Sequence, residues 1–144
     1  MATRLMRWLL LAGILGSVVP SAAADFVVVV NPQVKVDHLT KAQLKRIYRK
    51  EMTEWPGDGA IIVFDQPASS EVRAAFSEKV LDATVAEVQN YWINKKMTAG
   101  LTGPKVFRSP TLVKKFVART PGAIGYLAPD QVDDTVKVVQ VDGL

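Results

Sequence analysis

Asp65, Ser69, Ser70 and Arg73 fall within nine residues of one another, and their chemistry suits a small charged or polar ligand. Two hydroxyls can give and take hydrogen bonds, a guanidinium offers a fork for anionic oxygens, and a carboxylate accepts donors and repels anions. Elsewhere the chemistry is sparse. His38 is the one histidine, cysteine is absent, and no Ser/His/Asp or metal-ligand spacing occurs, so no enzyme, metal site or cofactor is expected.

The four residues need a strand, a turn and a helix to hold them. Ile61 to Phe76 supplies these, because a β-branched run ends at Asp65, Pro67 stops the ladder, and the Ser69–Ser70 pair can cap a helix from about Ser70 to Leu81. The first N–H groups of a helix lack intrahelical partners and carry positive potential, so anions bind readily at such a turn. A capped turn with no ligand fits the same residues.

Met1 to Ala24 has Arg4 and Arg7, an apolar run from Trp8 to Val19, and small residues at Ala22 and Ala24. This is the pattern of a signal peptide over 1–24, cleaved before Asp25, with one domain over 25–144 of a soluble exported protein. The net charge of +4 includes Arg4 and Arg7, leaving +2, and the basic residues are scattered among acids. Nucleic acid is not an expected partner.

Asp25 to Val30 reads as a strand buried on both faces and ended by Asn31-Pro32. Thr40 with Gln43 makes a capping box for a helix whose inward face is Leu44, Ile47 and Tyr48. Trp55 to Gly59 is a turn, with Trp55 plugging the core edge. Thr84 with Glu87 forms a second capping box for a helix running to about Lys96, with Val85, Val88 and Trp92 inward. Thr98 to Arg108 is expected to be loop. Ser109-Pro110 starts a helix that buries Leu112, Val113, Phe116 and Val117 and ends near Thr120. Gly122 and Gly125 permit close backbone approach in a short strand to Leu127, and Val136 to Val141 closes the chain as a strand at a sheet edge. Alternating strands and helices predict an α/β domain with a mixed, mostly parallel sheet flanked by helices.

Leu39 to Tyr48, Trp55 to Gly59, Asp65 to Phe76, Tyr91-Trp92, and Phe116 to Tyr126 with its Thr-Pro-Gly-Ala-Ile-Gly-Tyr stretch together resemble the small phosphate ABC-transporter substrate-binding-like proteins of the type II periplasmic binding superfamily. The resemblance spans nearly all of residues 25–144 in order. It implies export and a single lobe of that fold, where full-length phosphate binders close two lobes over their ligand. Their ligand loop reads Arg-Ser-x-Gly-Ser-Gly-Thr. On this chain Asp65 stands in place of the arginine, Ser69 matches the ligand serine, and Ser70 and Glu71 replace the glycine and threonine. The family's usual glycine after the first helix's aromatic residue is replaced by Arg49-Lys50.

A helix N-terminus contributes up to about 2 kcal/mol to holding an anion, whereas a carboxylate about 5 Å away opposes it by about 3 kcal/mol at an effective dielectric near 20. Bare phosphate is therefore disfavoured unless Arg73 or a lysine of the 98–108 loop compensates, and Asp65→Arg with Glu71→Thr is the change expected to install phosphate affinity. Two functions stay open. One is a periplasmic solute-binding protein that holds a small anionic or polar solute, phosphate among the candidates, and serves a membrane transporter or sensor. The other is a single-lobe interaction or accessory module that keeps the fold without the ligand. A homodimer is the expected way to cover the edge left by the absent lobe.

Overall fold

Four successive valines open the folded chain. In the computed structural model, which describes residues 25–144, β1 (Val27–Val30) sends Val28 and Val30 to one side of a sheet and Val29 to the other, and all three are buried. Asn31 then ends the strand and ties it to the helix beneath, its Nδ2 donating to the carbonyls of Val117 and Ala118 at 3.0 and 3.1 Å. The signal peptide read over 1–24 lies outside the described residues.

Helix α1 (Lys41–Tyr48) starts where the sequence places it. Gln43 N donates to Thr40 Oγ1 at 3.1 Å and Gln43 Oε1 accepts from Thr40 N at 2.9 Å, so both bonds of the capping box form. A cap of this kind stabilises a helix by about 1 kcal/mol. Leu44, Ile47 and Tyr48 are its buried face. The chain turns out of α1 through Lys50, at φ 56°, with Lys50 N on Ile47 O and Glu51 N on Arg46 O. That bond pair is a Schellman motif with lysine in the glycine position.

The Trp55–Gly59 turn is flanked by a short hairpin, β3 (Glu54–Trp55) and β4 (Gly59–Ala60). Trp55 is buried as expected, and its indole donates to Gly122 O at 2.9 Å. Strand β5 (Ile62–Asp65) leads to α2 (Glu71–Leu81), and α3 (Val85–Ala99) follows. Two expectations shift at α3. It runs three residues beyond Lys96 to a left-handed Gly100, and of its capping box the bond from Glu87 N to Thr84 Oγ1 forms. The 98–108 segment is not wholly loop, because β6 (Lys105–Val106) pairs in parallel with β5. Helix α4 (Pro110–Arg119) has Ser109 as its cap and proline at its first position. Val113 and Val117 are fully buried; Phe116 lies at the margin, stacked on Phe107 with ring centroids 4.5 Å apart.

Strand β7 (Ala123–Leu127) is buried at every residue. Gly125 admits α4 closely, since a Cβ there would lie 2.9 Å from Val113 Cγ1. The last strand, β8 (Lys137–Asp142), is not at the edge. A three-residue strand, β2 (His38–Thr40), pairs in parallel along it, giving the order β2-β8-β1-β7-β5-β6. Lys137 is accommodated there because its ammonium reaches sideways to Val34 O at 2.9 Å and to the Asp37 carboxylate at 2.6 Å. Only β1 runs against the other strands of this sheet, so it is mixed and mostly parallel, as the sequence predicts. One face carries α1, α2 and α3 over a core that includes Tyr48, Trp55, Phe76 and Tyr126; the other carries α4 over Val29, Phe64 and Leu127.

Candidate functional site

Strand β5 ends with its last side chain turned inward. Asp65 is 6% exposed, and its Oδ1 accepts from the backbone N–H of Gln66 at 2.8 Å and from the hydroxyl of Tyr126. Its Oδ2 lies 3.6 Å from Nη2 of Arg73, which is also 6% exposed. This is a buried ion pair rather than a direct hydrogen bond. At that distance the attraction is about 5 kcal/mol for an effective dielectric near 20, while burying each ion costs several kcal/mol. The balance falls to burial: desolvation pushes the Asp65 carboxyl above the ordinary aspartate value, although Arg73, Tyr126 and the Gln66 amide all act to lower it. Burial first, then the Asp65 charge, holds the Tyr126 hydroxyl far above the ordinary tyrosine range, which keeps it a donor.

Gln66 knits the turn together. Its side chain is fully buried, Nε2 donating to Tyr126 O at 2.7 Å and Oε1 accepting from Ser70 Oγ at 2.6 Å, while its carbonyl accepts from Arg73 Nη1 at 2.8 Å. Ser70 is the helix cap, its Oγ accepting from Arg73 N at 3.2 Å. Its hydroxyl is thus engaged on both sides. Ser69 is exposed and takes no part in this network among the described residues. Of the four residues singled out in the sequence, Asp65, Ser70 and Arg73 are joined through Gln66, and Ser69 stands apart.

The sequence reading passed over Gln66 and Tyr126. Gln66 lies between the strand end and the helix cap, and Tyr126 ends the Thr-Pro-Gly-Ala-Ile-Gly-Tyr stretch, whose residues speak for fold. A tyrosine on a strand buried on both faces must place its hydroxyl on a polar group, and that demand was the available signal.

A cleft of about 560 Å³ adjoins the pair. Asp65 and Arg73 form its floor, with Gln89, Asn90, Trp92 and Lys96 from α3 and Thr102 to Pro104 and Val106 from the segment after it. Arg73 Nε is buried without a hydrogen-bond partner among the described residues. The lysine lining this cleft is Lys96 of α3; Lys105 of the 98–108 segment instead lies over the Phe107 ring, 5.3 Å from its centroid. The chemistry of the turn follows. Its arginine is matched by a carboxylate and its serine hydroxyl is spent on glutamine, so an arriving anion meets helix-terminal N–H groups and little net positive charge.

In a mixed α/β lobe, a strand-to-helix turn beyond the carboxyl end of a strand is where ligands commonly bind. A family model described as a PBP superfamily domain matches residues 17–142, and the chain belongs to that superfamily. It is 32% identical over 128 residues to the phosphate-binding protein PstS of Bacillus subtilis, covering 85% of this chain and 38% of that protein. Among solved structures it is similar to an ABC-type phosphate transport receptor from Vibrio cholerae, with 25% identity and a TM-score of 0.65 over 84% of this chain and 47% of that one. A phosphate ABC transporter substrate-binding protein from Clostridium perfringens, with phosphate bound, gives 28% identity and a TM-score of 0.66 over 84% and 46%. The chain thus spans less than half the length of these relatives.

Proposed function

We propose that this chain is an exported, single-lobe interaction or accessory module of the PBP superfamily whose strand-to-helix turn does not hold free phosphate. One observation carries the reading: the buried Asp65–Arg73 pair, which spends on an internal carboxylate the guanidinium that a phosphate would need. Residues 1–24 act as a cleaved signal, residues 25–144 as one periplasmic domain, and the partner is a membrane transporter or sensor. Neither catalysis nor nucleic-acid binding belongs to this reading.

A second reading keeps a ligand. Gln89, Asn90 and Thr102 line the cleft beside Asp65 and Arg73, a set of paired donors and acceptors that suits a small polar solute better than a bare anion. Thermal unfolding with phosphate, sulfate and neutral polar solutes separates the two, because a ligand at 100 times its Kd adds about 2.7 kcal/mol. The module predicts no stabilisation by any of them. Stabilisation by a neutral solute alone supports the second reading, and stabilisation by phosphate overturns both.

A further inference from the structure

The Asp65–Arg73 pair leaves one acceptor and one donor unbonded, and both belong to residues that line the cleft. Asp65 Oδ1 receives two donors, the Gln66 N–H and the Tyr126 hydroxyl, and Arg73 Nη1 donates to Gln66 O. Oδ2 and Nη2 have only each other, at 3.6 Å, which is too far for a hydrogen bond. Among the described residues, Arg73 Nε is the side-chain atom closed off from solvent without a partner. Oδ2 and Nη2, equally unbonded, therefore keep some surface, and it opens on the cleft of about 560 Å³ that both residues line.

An acceptor beside a donor, with no net charge between them, selects the shape of what can satisfy both. A bare anion on Nη2 meets the carboxylate, and a cation on Oδ2 meets the guanidinium, each repelled about as strongly as it is attracted. A trans peptide group also fails, because its N–H and C=O point in opposite directions. A primary carboxamide has its C=O and one N–H on the same edge, their heavy atoms about 2.2 Å apart, so two hydrogen bonds of about 2.9 Å can reach the pair together. We infer that the cleft is a site for a primary carboxamide, its C=O accepting from Arg73 Nη2 and its N–H donating to Asp65 Oδ2. The second N–H points away from the pair, into a cleft where Gln89, Asn90 and Thr102 supply neutral acceptors. The inference rests on the reading that the pair keeps free phosphate out. A glutamine or asparagine side chain of the membrane partner fits the accessory module, and a free amide fits the solute binder.

Nuclear magnetic resonance titration of the protein near neutral pH tests it, with butyramide, butyrate, alanine and inorganic phosphate as probes. Butyramide should shift the Gln66 and Arg73 backbone amide signals saturably; butyrate, of the same shape but anionic, should not. Asp65→Asn, which exchanges the charged acceptor for a neutral one, should weaken the butyramide response about fivefold. If that variant is unstable, the probe series on the native chain decides alone. A blocked tripeptide with glutamine at its centre and no terminal primary amide separates the sources. Saturation at about a tenth of the butyramide concentration assigns the carboxamide to a partner protein, and saturation no earlier than butyramide assigns it to a free solute. No saturable shift with either carboxamide overturns the inference and leaves the exclusion of phosphate standing. An equal response to butyrate or to zwitterionic alanine overturns it as well. Saturable binding of phosphate overturns the reading on which it rests.

Discussion

Arg73 and Asp65 face each other beneath the strand-to-helix turn, Nη2 to Oδ2 at 3.6 Å, with little of either side chain exposed. Asp65 ends β5, and Arg73 stands in the first turn of α2. Asp65→Arg, which the sequence alone marks as the change that installs phosphate affinity, would therefore set two buried guanidinium groups against each other. Freeing the existing arginine is the better route.

Arg73→Leu removes the counter-ion and leaves the Asp65 carboxylate buried alone. Breaking a buried pair from one side costs about 3 kcal/mol or more. Urea unfolding near pH 7 should show that loss. It should shrink markedly in acid, where the Asp65 carboxyl, held above the ordinary aspartate value by burial, takes up its proton and the buried charge disappears. A loss that is the same at both pH values would mean that packing, not charge, is what Arg73 supplies.

The pH dependence of Asp65 has a definite sign. Its folded-state pKa is raised above the ordinary value by burial, so the native state keeps the proton to higher pH than the unfolded chain does. This contribution is complete below the ordinary aspartate value and is lost as pH rises through the native one. The stability of the native chain relative to Asp65→Asn should therefore decline as the pH rises from the ordinary aspartate value through the raised native one. Asp37, Asp82 and Asp133 have lowered values and work in the opposite sense, but they are present in both proteins and cancel in the difference. A difference that rises with pH would show that the Arg73 attraction outweighs burial.

Lys50 occupies a left-handed position that glycine adopts without strain. Lys50→Gly should raise stability by about 0.5 to 1 kcal/mol, read from the urea midpoint at unchanged slope. An unchanged midpoint would place the lysine's compensation elsewhere on the surface.

At Gly122 the constraint is harder. Its φ is +77°, and a Cβ would lie 2.2 Å from the carbonyl oxygen of Ala60, beside the Gly122 carbonyl that receives the Trp55 indole. Gly122→Ala should cost more than about 2 kcal/mol, and the near-ultraviolet signal of Trp55 should change with it. A variant as stable as the native chain would contradict this packing.

Much of the fold is legible in local chemistry. Thr40 with Gln43, Ser109 with Pro110, and the valine run of β1 each specify an element by what lies within a few residues. The unread elements depend on distant partners: β2 exists because β8 lies beside it, and β6 because β5 does, so neither shows as a run in the sequence. The place of β8 inside the sheet was hidden for the same reason, since Lys137 is tolerated through Asp37 and Val34, a hundred residues away. At the turn, the sequence carries the residues and the structure carries their directions. Ser70 and Ser69 are neighbours, yet one is bonded inward to Gln66 and the other exposed, and the amide of Gln66 is itself held by the carbonyl of Tyr126, sixty residues away.

The central claim is that the turn's positive charge is already matched from within. Isothermal titration of inorganic phosphate into the native chain and into Asp65→Asn tests it most directly. The account predicts no heat of binding for the native chain at millimolar phosphate and a measurable, weak association for Asp65→Asn, where Arg73 has lost its carboxylate. Binding by the native chain at micromolar phosphate would contradict it, because a cation other than the matched Arg73, such as the Lys96 that lines the cleft, would then have to hold the anion.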